Sequence, residues 1–162
     1  MRGTFVVCTT LLFLAQQVWA KEECDFDQKT RVKKYLSLKK KYLGSYLTDK
    51  NLVLVVPQEE GVVRITIGGC VHYGVTVELE TKAINRYKNE KDFFKEILFL
   101  ARSYSQGDVD IDKLEDVINK RNWTQPEPKE RYYFFNYESF STFEVYERHE
   151  GQAIVIGFDY YS

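Results

Sequence analysis

Histidine and cysteine are scarce in this chain, and each scarcity removes a class of function. The 162 residues hold two histidines, His72 and His149, and neither has a second histidine at metal-ligand spacing. His149-Glu150-Gly151-Gln152-Ala153 opens like the zinc-protease helix motif but puts Ala153 where the second histidine must stand. Three cysteines are too few for a disulfide scaffold, and no Cys-x-x-Cys occurs. Also missing are Gly-x-Ser-x-Gly and the phosphate-loop glycine pattern. Asp108-Val109-Asp110-Ile111-Asp112 begins like a calcium loop, yet Lys113 and Asn119 occupy the positions that need glycine and a carboxylate. Acids in that setting read as helix-start chemistry, favoured by the positive end of the macrodipole. No metal or cofactor is expected. Beyond residue 20, no apolar run approaches the roughly 18 residues of a membrane span, so no transmembrane segment is expected either.

What is present begins with a leader. Arg2, an apolar run from Thr4 to Ala15, and Val18-Trp19-Ala20 read as a signal peptide over residues 1–20. The expected mature protein is a single secreted, extracellular α+β domain over residues 21–162. Losing Arg2 takes the net charge from −1 to −2, a near-balance that argues against nucleic acid as a partner. An apolar fraction of 44% excludes a disordered chain. Cys8 leaves with the leader, and Cys24 with Cys70 forms the expected disulfide of an oxidising compartment. It would close a loop of about 47 residues, worth about 4 kcal/mol in the chain-entropy account. Asn122-Trp123-Thr124 is an N-glycosylation sequon, with Asn122 the acceptor.

Periodicity supplies the elements. Val32, Tyr35, Leu36, Leu43, Tyr46 and Leu47 recur at spacings of three and four and predict a helix over 28–48. Leu52 to Val56 predicts a strand stopped by Pro57, and Val62 to Ile67 a second. Over 71–79, Val71, Tyr73, Val75, Val77 and Leu79 alternate with His72, Gly74, Thr76 and Glu78, the pattern of a sheet with one wet face. Asn89 is placed to cap a helix to about Tyr104, and Asp108 or Asp110 a further one. Strands follow over 131–137, 141–148 and 152–160. The fold class is therefore α+β: an antiparallel sheet of about six strands, divisible into two αβββ halves, packed against about three helices. The αβββ order in a secreted chain resembles cystatin-like folds in outline. Their Gln-x-Val-x-Gly inhibitory loop is absent, since Ile67-Gly68-Gly69 lacks the glutamine.

Two uneven distributions point to binding. Residues 29–50 carry eight basic residues and one acid, whereas 51–162 carry 13 basic and 19 acidic. A basic amphipathic helix on an acidic body suits a protein partner or an anionic surface, with Lys33, Lys34, Lys40 and Lys41 as candidate contacts. Eleven of the 32 residues from Arg131 to Ser162 are aromatic. Neighbours on a strand point to opposite faces, so Tyr132, Tyr133, Tyr137 and Tyr146 cannot all enter one core and are candidates for a binding face. The expected function is a secreted, non-enzymatic binding protein or effector of the venom, salivary or host-interaction type. The alternatives are a carrier of a small apolar ligand in a tyrosine-rich cavity, and a hydrolase pairing His72 or His149 with a carboxylate.

Overall fold

The computed structural model describes residues 28–48, 53–68, 73–83, 87, 89–126, 131–138 and 141–162. In chain order these form α1 (Gln28–Lys41), β1 (Tyr46–Leu47), β2 (Val53–Gln58), β3 (Gly61–Gly68), β4 (Gly74–Thr81), α2 (Glu90–Tyr104), α3 (Ile111–Asn119), β5 (Tyr132–Glu138), β6 (Ser141–Glu150) and β7 (Ala153–Tyr161). The fold is α+β. Its strands make one antiparallel sheet in the order β1-β2-β3-β4-β7-β6-β5, with seven strands where the sequence predicts six. The meanders β2-β3-β4 and β5-β6-β7 meet along β4 and β7, so the two αβββ halves flank the central pair.

Period-two alternation decides which side of the sheet is covered. Val75, Val77 and Leu79 on β4 stand opposite Tyr160, Phe158 and Ile156 on β7, and all six are buried. They join Val63 and Ile65 of β3, Phe143 and Val145 of β6, and Tyr133 and Phe135 of β5 in one core cluster. Tyr35 and Leu38 of α1, Phe93 and Ile97 of α2, and Leu114 of α3 belong to the same cluster. The three helices therefore cover one face, and the other face carries Thr76, Glu78, Glu144, Tyr146 and Asp159.

The extra strand comes from a helix that stops early. Gly44, at φ +81°, takes the left-handed conformation that ends helices and that glycine adopts without a Cβ penalty. Tyr46 and Leu47 then pair with Val55 and Leu54 as β1 and do not extend α1. Pro57 does not end β2 either. The Thr48 N–H donates to Val53 O at 2.9 Å, so alternate residues from Val53 turn their backbone groups towards β1. Pro57 shares that parity but lies beyond the end of β1, where a missing N–H breaks no ladder bond. The other two helices start where predicted: the Asp92 N–H donates to the Asn89 side chain at 2.8 Å, and the Lys113 N–H to Asp110 at 3.2 Å.

Candidate functional site

The apolar stripe of α1 divides between two surroundings. Tyr35 and Leu38 are fully buried, and the Tyr35 hydroxyl accepts a hydrogen bond from the Ile67 N–H at 2.9 Å, satisfying a β3 donor one residue past the last register pair with β2. At 100° per residue, Leu36 lies roughly 130° round the helix from the midpoint of that pair and cannot reach the core. Val32 and Leu36 stay exposed, as do Leu43 at 94% in the turn after α1 and Tyr46 in β1. The single core-facing stripe expected from spacing is thus two stripes. Lys33, Lys39 and Lys40 are exposed alongside the outer one, and Lys39, Lys40 and Lys41 occupy the last turn, where the negative end of the helix dipole favours them.

The four candidate lysines separate on the same geometry. Lys33 and Lys40 project into solvent. Lys34 does not: its Nζ donates to both Asp108 carboxylate oxygens at 2.6 and 2.8 Å and to the Tyr73 hydroxyl at 2.7 Å, and it lies 4.3 Å from the centroid of the Tyr73 ring. It therefore binds α1 to the α2–α3 connection and to the start of β4. Burial, with Asp108 beside it, pushes the Tyr73 hydroxyl well above the usual tyrosine range. Lys41 donates to Ser103 O at 3.2 Å and sits 5.1 Å from the Tyr42 ring centroid.

The candidate tyrosines also divide, by strand parity. Tyr133 is core, with ring centroids 4.9 Å from Phe94 and 5.8 Å from Trp123. Tyr132 and Tyr146 are cross-strand partners on the uncovered face, and the side chain of Tyr137 lies outside the described residues. The Tyr146 hydroxyl donates to Glu78 at 2.8 Å. The same carboxylate pairs with Arg148 at 2.7 Å. Tyr146 crosses β7 at Gly157, where an added Cβ would lie 3.2 Å from its ring and 2.8 Å from Val77 O. Tyr132 donates to Glu144, a bond that together with burial pushes its hydroxyl up to about 12. Glu144 stands directly opposite Asp159. Burial raises the Asp159 carboxyl, the nearby Glu144 and Glu78 charges add to this, and a Thr76 hydrogen bond and Arg148 oppose it. A shallow cavity of about 370 Å³ lies among Tyr132, Glu144, Tyr146, Arg148 and Asp159. Its polar groups are bonded to one another through Tyr132–Glu144, Tyr146–Glu78 and Arg148–Glu78, so this face is a cross-linked network.

His149 is exposed and pairs with Glu147 at 3.5 Å. It does not line the cavity beside Arg148. Asn122 is exposed just after α3. Thr124 is fixed by reciprocal backbone bonds to Phe134 at 2.9 and 2.8 Å. Cys24, Cys70 and His72 lie outside the described residues. Among the described residues, no group of three or more His, Cys, Asp or Glu is placed to hold a metal ion, and no helix is long and apolar enough to cross a membrane. The residues that sequence reasoning overlooks are Leu36 and Leu43 as surface groups; Gly44 is the available signal for Leu43, and the helical angle from Tyr35 is the signal for Leu36. Comparison with family models, curated proteins and solved structures finds no match to this chain.

Proposed function

We propose that this protein is a secreted, non-enzymatic binding protein that seats α1 on an anionic lipid surface. The observation that carries the reading is the outer pair Val32 and Leu36 of α1, with Leu43 in the turn just past its end, all left exposed and bordered by Lys33, Lys39 and Lys40. A core-packed helix needs one apolar stripe, and this one has two. Apolar side chains flanked by lysines match the headgroup–acyl boundary, where stems lie along hydrocarbon and ammonium groups meet lipid phosphates. Each lysine near such a surface contributes about 1 kcal/mol. Burying Leu43 adds about 2 kcal/mol, and the half-exposed Val32 and Leu36 about 1 kcal/mol each. Set against the cost of association, these terms give reversible docking.

The test is co-sedimentation with phosphatidylserine-containing vesicles against phosphatidylcholine vesicles over a salt series. Binding is expected only to the anionic vesicles, weakening as salt rises. Lys33→Glu/Lys40→Glu should lower it at least 30-fold, and Leu36→Ser/Leu43→Ser by roughly 150-fold, both with unchanged thermal unfolding. Equal binding to both vesicle types, no vesicle binding, or retention on heparin without vesicle binding would each sink the lipid reading.

A further inference from the structure

A groove at the end of the sheet where β2 turns into β3 shares no lining residue with the outer stripe of α1 or with the tyrosine face. Glu59 and Glu60 form the two-residue turn between the paired Gln58 and Gly61. The turn overhangs one face of α2, on which Glu96, Phe99 and Leu100 fall at helical spacings of three and four. Gln58 Nε2 donates to the Tyr104 hydroxyl at 3.1 Å, which ties the end of β2 to α2 beside the groove. The enclosed space is about 340 Å³, near the lower end of the roughly 300–1,000 Å³ range of small-molecule sites.

Its lining is chemically divided. The floor is core: Val63, Leu79 and Leu100 are buried there. Tyr87 and Phe99 form an aromatic side. Phe99 is 54% exposed although Phe93 and Phe94 on the same helix are buried, so a large ring stands at the mouth with much of its surface in water. The rim is acidic, with Glu59, Glu60 and Glu96, and no lysine or arginine is among the described residues lining this space. Among the described residues, the neighbouring cations lie outside it: Arg64 pairs with Glu80, Lys82 borders the adjoining cavity on the Glu80 side and Lys95 the one on the Asp92 side. An apolar floor and an aromatic side exclude a fully hydrated ion as the natural occupant, and an acidic rim disfavours carboxylates and phosphates.

We infer that this groove is a binding site for a small organic amine, whose aromatic or alkyl body lies against Phe99, Tyr87 and Leu100 and whose ammonium group meets the Glu96 and Glu59 carboxylates. The apolar body removes the exposed part of Phe99 from water. The ammonium donates charge-assisted hydrogen bonds to the rim and gains from the aromatic face. The site is not the tyrosine-rich cavity expected from the sequence: of the two tyrosines at the groove, Tyr104 supports it and Tyr87 lines it, and the C-terminal tyrosines take no part. It does not depend on docking of α1 to lipid.

The probe is 2-phenylethylamine, titrated by calorimetry and followed by amide chemical-shift changes. 2-Phenylethanol and phenylacetate serve as controls with the same ring and a neutral or anionic head. The amine should bind saturably, the alcohol about tenfold more weakly, and the acid not at all, with shifts at Val63, Leu79 and Leu100. Phe99→Ala and Glu96→Gln should each weaken the amine about tenfold. Both change exposed or partly exposed side chains, and their unfolding curves establish that the variants fold. No saturable amine binding, equal binding of the three compounds, shifts confined to another region, or unchanged affinity in both folded variants would overturn the assignment.

Discussion

Lys34 offers the sharpest test of how α1 divides its charges. Replacing it with methionine keeps the aliphatic stem and deletes three hydrogen bonds, two to Asp108 and one to Tyr73. A hydrogen bond to a charged group contributes about 1.5–3 kcal/mol when buried, and orphaning one partner of a buried ion pair costs about 3–5 kcal/mol. The side chains of Lys34 and Asp108 retain 25% and 19% of their exposure, so water recovers part of that loss. The expected cost is about 2–3 kcal/mol, a fall of about 6–9 °C in Tm for a domain of this size. Lys33→Met makes the same charge change one residue earlier. It should leave stability within about 0.5 kcal/mol and weaken anionic-vesicle binding about fivefold, the equivalent of about 1 kcal/mol. Thermal unfolding by circular dichroism and vesicle co-sedimentation on both variants give four numbers. Pairing Lys34→Met with Asp108→Asn should recover part of the loss, because the stranded carboxylate is then neutral. If Lys34→Met melts with the wild type, or if the two methionine variants behave alike, the assignment of Lys34 to the interior framework is wrong.

Two further predictions concern the uncovered sheet face. Asp159→Asn should stabilise the protein at pH 7 by about 0.5 kcal/mol, since it removes one of two like charges standing directly opposite across strands. The folded chain holds the Asp159 carboxyl above its free value, so the wild-type group favours folding below about pH 3.9 and loses that contribution as pH rises through the raised value. The advantage of the Asp159→Asn variant should therefore vanish in acid, and an advantage that persists there in chemical denaturation would refute the cause. Gly157→Ala places a methyl 2.8 Å from Val77 O and 3.2 Å from the Tyr146 ring. It should cost about 1–3 kcal/mol, measurable as a lower urea midpoint, and a neutral result would show that Tyr146 does not lie across β7.

Short-range rules account for most of the fold. Alternation through Val75, Val77 and Leu79 names the core face of β4, and Asn89 and Asp110 mark helix starts, because caps and strand parity depend on near neighbours alone. The same parity separates Tyr132 from Tyr133 in the sequence itself. Sequence and structure differ where a local cue is outweighed or omitted. Tyr46 and Leu47 fit the helical spacing, but Gly44 ends the helix and β2 offers them a pairing partner. Pro57 reads as a stop because the length of β1, which frees that edge, is invisible in the chain. The role of Lys34 rests on Asp108, 74 positions away, and no periodicity links them. The groove beside Phe99 is hidden for a similar reason: nothing in a hairpin turn announces which helix it overhangs.

The strand order also governs how such a chain reaches its fold. Every other neighbouring pair in the sheet joins segments consecutive in the chain, whereas β4 and β7 pair residues 73 to 87 positions apart. Each meander can therefore assemble from local contacts, and the slow event is closure of the seam between them, across a loop that holds both α2 and α3. β7 follows every other described element, so during synthesis β4 presents Val75, Val77 and Leu79 on an unpaired edge until the last strand arrives. That interval is when a growing chain is most open to pairing with the wrong strand.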